Sequence, residues 1–143
     1  MLVMDEHDIE RITGCLKRYP VTVAYLFGSE AKGQSGALSD IDIAVYFDRN
    51  VDKSERFDLK LRLSVELSAM TKRTADVAVL NDSPPRLSYE IIKSGRVIFC
   101  SDRIARVDIE TGILSRYLDR RYYDKRHAEI TLSKMASGGF QST

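Results

Sequence analysis

Residues 21–42, VTVAYLFGSEAKGQSGALSDID, join an apolar run to a loop and then to two closely spaced aspartates. The apolar run, residues 21–27, is rich in β-branched and aromatic side chains and predicts a buried strand. Residues 28–39 contain several Gly, Ser, Lys and Gln residues and predict a loop. Residues 40–47, DIDIAVYF, alternate apolar and other side chains and predict a second strand. These two strands and their loop form the centre of the predicted fold.

The other segments predict helices and strands in mixed order around this centre. Helices are predicted over residues 5–18, 57–70, 84–94 and 102–135, and further strands over 75–80 and 96–100. The last helix is expected to be interrupted near Gly112, because glycine weakens a helix interior. This order of elements predicts an α+β (α/β-like) fold, a small mixed β-sheet flanked by helices.

The segment 57–70 has two possible interpretations. Its apolar residues alternate, which by itself predicts a strand. Its Leu, Lys, Arg, Glu, Ala and Met residues favour a helix, and it is long for a strand. Asp52, followed three residues later by Glu55, resembles a helix capping box. We therefore predict a helix.

Length and charge limit the kind of protein. A chain of 143 residues fits one domain better than two. The net charge of +1, with both signs abundant, argues against a protein that coats nucleic acid, so no direct nucleic-acid binding is expected. We predict a single domain over residues 1–136, with a helical extension over about 102–136 and a flexible tail over 137–143.

The first residues and the cysteines predict a cytoplasmic protein. The start, MLVMDEHDIERI, is acidic where a signal peptide needs positive charge and an apolar run. No stretch has the length of a membrane-spanning helix. Cys15 and Cys100 are far apart in the sequence, without a neighbouring Cys or His at ligand spacing. Reduced, packed thiols are the simplest interpretation.

The loop after the first strand has the chemistry of a phosphate site. Gly28 and Ser29 follow a buried strand directly, where the backbone can turn sharply and approach an anion. Their N–H groups and the Ser29 hydroxyl can bind phosphate oxygens, and Lys32 adds positive charge.

Three aspartates are candidates for metal-assisted chemistry. Asp40 and Asp42 are two residues apart, so on a strand they project from one face, opposite Ile41 and Ile43. Neighbouring carboxylates raise each other's pKa, and a magnesium ion relieves their repulsion. Asp76 joins them if its strand neighbours residues 40–47, where it can bind a metal or activate an acceptor hydroxyl.

Each of these features alone is more often structural. A Gly-Ser after a strand is usually a turn, and an Asp-x-Asp is usually a solvated strand end. An Asp at the start of a strand is seldom a base. Their occurrence together, in this order and on these predicted strands, favours a catalytic site.

The pattern Gly-Ser-x-Ala-x-Gly followed by Ser-Asp-x-Asp resembles the signature of the polymerase-β-like nucleotidyltransferase superfamily, and in size its minimal nucleotidyltransferase branch. The resemblance covers residues 21–100 and places Asp76 where that superfamily carries its third carboxylate. It implies Mg²⁺ (or Mn²⁺) as cofactor and ATP as substrate. Its catalytic and metal-binding residues would be Asp40, Asp42 and Asp76, and its nucleotide-binding residues Gly28, Ser29, Lys32, Gly33 and Ser39. Many members carry arginine where this chain has Glu30 and Lys32.

The resemblance also implies a partner. Minimal nucleotidyltransferases are commonly antitoxins that transfer AMP from ATP to a tyrosine of a HEPN-domain ribonuclease toxin and so neutralise it. The basic, tyrosine-containing helix over 102–135 is then a candidate docking element, or simply a cover for the sheet with a solvated basic side. Two alternatives are a binding-only antitoxin that acts by occlusion and a small-molecule (aminoglycoside-type) nucleotidyltransferase.

Overall fold

The structure is a computed structural model that describes residues 6–28 and 40–136. This part of the chain folds into helices α1 (Glu6–Leu16), α2 (Lys53–Thr71), α3 (Pro85–Ser94) and α4 (Arg103–Ala136), and strands β1 (Val21–Phe27), β2 (Ile41–Phe47), β3 (Ala75–Val79) and β4 (Arg96–Cys100). A 3₁₀ turn, Leu80–Asp82, joins β3 to α3. The α+β class and the predicted order of elements are confirmed.

The four strands form one mixed sheet in the order β3-β2-β1-β4. Strand β1 is antiparallel to both β2 and β4, whereas β2 and β3 are parallel. Phe27 at the end of β1 therefore lies opposite Asp42 near the start of β2, and Asp42 lies in register with Asp76 near the start of β3. This topology brings the end of β1 and the starts of β2 and β3 together at one end of the strands.

Both faces of the sheet are covered. The main core lies between one face and helices α1 and α2, and it contains the apolar side of β2, including Ile41, Ile43 and Val45. A second, smaller core lies on the opposite face, where Tyr25, Ala44 and other residues of β1 and β2 meet α3 and α4. The prediction of a small mixed sheet flanked by helices is confirmed.

A hydrogen bond ties α4 to the central strand on this second face. The Tyr25 hydroxyl of β1 donates to the Glu110 carboxylate of α4 at 2.5 Å, and Arg106 donates to the same carboxylate at 3.2 Å. Burial, together with the bond to Glu110, raises the pKa of Tyr25. The phenol is therefore neutral at physiological pH and acts as a donor that fixes the position of α4.

Helix α2 confirms the helical interpretation of residues 57–70. Its N-cap is Asp52, whose carboxylate accepts a hydrogen bond from the Glu55 N–H at 2.8 Å. At its other end Lys72 adopts a left-handed conformation with φ 58°. Both caps satisfy backbone groups that a helix end leaves free.

The helices differ from the prediction in several details; for example, α1 ends at Leu16 rather than at residue 18, and α2 begins at Lys53 rather than at residue 57. Helix α4 continues from Arg103 to Ala136 without an interruption at Gly112. Helix α3 begins at Pro85, one residue later than predicted, because Pro84 serves as its N-cap in an extended conformation. The predicted tail, residues 137–143, lies outside the described residues.

Both cysteines are free thiols, as predicted. Cys15 is buried, and its Sγ lies 3.1 Å from a carboxylate oxygen of Glu66. Burial and this hydrogen bond raise the pKa of Cys15 to about 11, so the thiol is protonated at neutral pH. No helix among the described residues combines the length and the apolar character that a membrane crossing requires.

Candidate active site

A left-handed turn at Gly28 forms the first part of the site. Strand β1 ends at Phe27, and Gly28 follows with φ +74°, a conformation that L-residues with side chains rarely adopt. A Cβ atom built on Gly28 would lie 2.4 Å from Oδ2 of Asp42. Glycine is therefore required here both for its backbone angle and for the room that the carboxylate occupies.

Asp42 and Asp76 form the second part. They are direct partners in the parallel pairing of β2 with β3. Their neighbours Ile41, Ile43 and Val77 point into the main core, so both carboxylates lie on the opposite face. Asp42 is half-buried and Asp76 is exposed. The prediction that Asp76 lies on a strand next to that of Asp42 is confirmed.

Asp40 lies at the entrance to the same strand. It is exposed and comes one residue before β2, rather than within the strand as predicted. It still raises the pKa of Asp42 through charge repulsion, so the two carboxylates lie within electrostatic reach of each other.

The site carries an excess of negative charge. Burial raises the pKa of Asp42 most, followed by repulsion from Asp76 and then from Asp40. In the described part of the chain, no Lys or Arg forms an ion pair with any of the three. A cation that binds here would relieve a cost that the folded protein otherwise bears.

The chemistry of these side chains suits a hard divalent cation. Carboxylate oxygens are the ligands that Mg²⁺ prefers, and substrate phosphates usually complete its coordination. Within residues 6–28 and 40–136, however, no group of three or more His, Cys, Asp and Glu side chains lies close enough together to hold a metal ion on its own. The protein thus offers an in-register carboxylate pair with a third carboxylate beside it.

Of the sequence-predicted site residues, the structure brings together Gly28, Asp42 and Asp76, with Asp40 next to them. The remaining nucleotide-binding candidates lie outside the described residues; they are Ser29, Lys32, Gly33 and Ser39.

Sequence reasoning missed a groove that starts at Asp76. It has a volume of about 400 Å³ and runs beside the edge strand β3, between α2 and the start of α3. The signal was present in α2, where Lys53, Phe57 and Lys60 recur at helical spacing. The predicted helix began only at residue 57, and the groove on its outward side depends on the positions of β3 and α3, which the helical spacing does not give.

Comparison with known proteins identifies the family. Residues 10–104 match the family described as polymerase beta, nucleotidyltransferase. The match covers most of the chain and contains β1–β4 with all three aspartates. The chain belongs to this family of nucleotidyltransferases. A comparison with curated protein sequences gives no significant match.

Solved structures share the fold. A chain of a toxin–antitoxin complex with AMP-PNP is 19% identical, with a TM-score of 0.69 over 90% of this chain and 99% of that one. A chain of the MntA-HepT toxin-antitoxin is 17% identical, with a TM-score of 0.67 and the same coverage. A chain from a complex of a tri-AMPylated Shewanella oneidensis HEPN toxin with MNT antitoxin is 18% identical, with a TM-score of 0.67 over 90% of this chain and 99% of that one. These similarities establish a polymerase-β-like nucleotidyltransferase fold.

Proposed function

We propose that this chain is a metal-dependent nucleotidyltransferase that transfers AMP from ATP to a tyrosine of a HEPN-domain ribonuclease toxin and thereby neutralises it. The observation that carries the proposal is that Gly28, Asp42 and Asp76 lie together at one end of three neighbouring strands. A sharp glycine turn beside paired carboxylates suits a polyphosphate, which needs close backbone approach and charge neutralisation. Fold neighbours that contain an AMP-PNP complex and an AMPylated toxin support the choice of nucleotide and acceptor.

In the proposed reaction the acceptor hydroxyl oxygen forms a bond with the α-phosphorus of ATP, and the bond between the α- and β-phosphates breaks. Pyrophosphate leaves, and the hydroxyl proton passes to Asp76, the exposed member of the pair. Asp40 and Asp42 would hold Mg²⁺ or Mn²⁺ with Asp76, and the ion would neutralise charge on the phosphates. The family pattern assigns phosphate contacts to Ser29, Lys32, Gly33 and Ser39.

The outer half of α4 supports a protein partner. Tyr117 still stacks on Tyr89 of α3 at 4.0 Å between ring centroids. From Leu118 to Ala136 nearly every residue is exposed, and several are apolar or basic. The inner half of α4 covers the sheet. We therefore assign docking of a partner to the outer half alone. Free thiols and ATP use suit action in the cytoplasm.

The experiment measures AMP transfer by the variants Asp42→Asn and Asp76→Asn. The control is Asp58→Asn, which makes the same substitution at an exposed residue of α2. Loss of either site carboxylate should lower transfer of radiolabelled AMP to the co-purified toxin about a hundredfold or more. Both variants should still co-purify with the toxin, and Asp58→Asn should behave as wild type. Calorimetry should show ATP binding to wild type with Mg²⁺ and much weaker binding in chelator. Wild-type transfer rates in either site variant would refute the assignment.

A binding-only antitoxin is the second candidate. Two observations favour it: the described residues hold no group of three potential ligands, and the outer half of α4 offers surface for a partner. The same variants separate the two functions in a cell-toxicity assay. If the Asp42→Asn and Asp76→Asn variants lose AMP transfer yet still protect cells fully, the toxin is neutralised by occlusion and not by AMP transfer.

A further inference from the structure

One end of the groove beside β3 lies at the candidate active site. Asp76 lines it at the start of β3, and Asp82 lines it beyond the end of that strand. Helix α2 runs in the opposite direction to β3 along it, since Ser64 bonds to the Ala75 carbonyl at 2.7 Å whereas Arg56 bonds to Asp82 at the other end. The groove therefore leads away from the carboxylate pair along one edge of the sheet.

A two-pronged ion pair holds the walls of the groove together. Arg56 of α2 donates from Nη2 to Oδ1 of Asp82 at 2.7 Å and from Nε to Oδ2 at 3.0 Å, and its Nη1 donates to the Val51 carbonyl at 2.7 Å. Such paired bonds fix both distance and orientation. The groove is thus preformed, and the negative charge of Asp82 is already compensated.

The lining of the groove combines apolar and basic groups. Phe57 on the α2 wall is 59% exposed and Leu87 on the α3 wall is 43% exposed, so a large apolar side chain faces the groove from each wall. Lys53 and Lys60 lie one turn before and one turn after Phe57 and form no ion pair within the described residues. The hydrogen bond from Arg56 lowers the pKa of Asp82 most, and the nearby charge of Lys53, which lines the same groove, lowers it further.

We propose that this groove is the acceptor subsite, and that it binds an extended polypeptide segment whose acceptor hydroxyl lies at Asp76, with a large apolar side chain between Phe57 and Leu87 and acidic side chains facing Lys60 and Lys53. The inference rests on the proposed function and specifies its substrate class. Its basis is the continuity of the groove with Asp76, together with the two lysines without an ion-pair partner among the described residues and the exposed apolar side chains of its walls.

The spacing of the lysines sets the length of the segment. Lys53 and Lys60 are seven positions apart on α2, which at a rise of about 1.5 Å per residue is roughly 10 Å. An extended chain covers that distance in about three residues, at roughly 3.3 Å each. The acceptor segment therefore carries its acidic residues within a few positions of the modified residue, on one side of it.

The test uses two short synthetic peptides, one in which tyrosine is followed by glutamate, leucine, serine and a second glutamate, and one with lysines in place of the glutamates. Fluorescence anisotropy without nucleotide measures binding, and transfer of radiolabelled AMP gives KM and kcat for the peptide and KM for ATP. Wild type should prefer the acidic peptide. In the double variant Lys53→Glu/Lys60→Glu, Kd and KM for the acidic peptide should rise about three- to tenfold. This variant should prefer the basic peptide.

The apolar contact has its own variant and control. Phe57→Ala should weaken binding of the acidic peptide about tenfold, whereas Val65→Ala, which removes a more exposed apolar side chain from the same helix, should not. The charge control is Lys17→Glu/Arg103→Glu, which makes the same change in net charge on other surfaces. KM for ATP should stay unchanged in every variant.

The outcomes separate this inference from the proposed function. If wild type transfers AMP but the groove variants keep wild-type peptide affinity and KM, the groove is not the acceptor subsite and the proposed function still stands. If wild type transfers AMP neither to the toxin nor to the peptides, the proposed function fails, and the acceptor subsite fails with it.

Discussion

At the scale of single residues, Gly28 and Asp42 depend on each other. The turn at Gly28 has a positive φ, and the position that a side chain would fill is occupied by the Asp42 carboxylate. The sequence indicated a turn and a carboxylate on a strand, because both follow from local pattern. Their contact could not be predicted, since it depends on the register between β1 and β2, which requires knowing that these two strands are paired.

We expect Gly28→Ala to damage both stability and nucleotide binding. The left-handed conformation costs an alanine about 1–2 kcal/mol, and the Cβ must in addition displace the Asp42 carboxylate. Urea denaturation measures the stability, and calorimetry with ATP and Mg²⁺ measures the binding.

Gly14→Ala is the matched control for this change. Gly14 lies within α1, and a Cβ built there meets nothing within 4 Å. Alanine at this position should raise the free energy of unfolding by roughly 0.5–1 kcal/mol and leave ATP binding unchanged. Equal behaviour of the two alanine variants would show that Gly28 has no special role.

At the scale of elements, helix α4 shows how tertiary contacts override a local signal. Gly112 predicted an interruption, yet the helix continues through it. On either side of it, Ile109 packs against the smaller core and Ile113 is buried. The energy of that packing exceeds the cost of about 1 kcal/mol for one glycine in a helix interior. Packing of this kind depends on the whole sheet, so a single segment could not reveal it.

The continuity of α4 makes opposite predictions for two substitutions at Gly112. Gly112→Ala should stabilise the protein by roughly 0.5–1 kcal/mol, because a Cβ there meets only the flexible end of Arg116, at 3.3 Å. Gly112→Pro should destabilise it by about 3 kcal/mol or more. Thermal and urea denaturation compare the two. A helix interrupted at this residue would instead tolerate proline.

At the scale of the whole molecule, the sheet and its two cores account for most of the chain, and the outer half of α4 extends beyond them. The sequence predicted the fold class and the strands well, because their apolar patterns are local and strong. It did not indicate which helix covers which face, because a local pattern shows which residues are apolar without showing what they pack against.

Charge reversal on the outer half of α4 tests its proposed role as the docking element. Arg121 and Lys125 are exposed one turn apart, and neither forms an ion pair within the described residues. Arg121→Glu/Lys125→Glu should weaken toxin binding about tenfold, with the difference shrinking at high salt, and should leave ATP affinity unchanged. Calorimetry at two salt concentrations measures this, with Lys17→Glu/Arg103→Glu as the control. Unchanged toxin affinity would assign docking to another surface.

The parallel pairing of β2 with β3 also has a consequence for the order in which the protein assembles. Antiparallel neighbours such as β1 and β2 can pair through a loop, but parallel neighbours require a crossover, here made by α2. Asp42 and Asp76 meet only after that helix has docked and brought β3 alongside β2. We therefore expect a partly refolded chain to form the glycine turn before the carboxylate pair, so that the site is complete only when the crossover has docked.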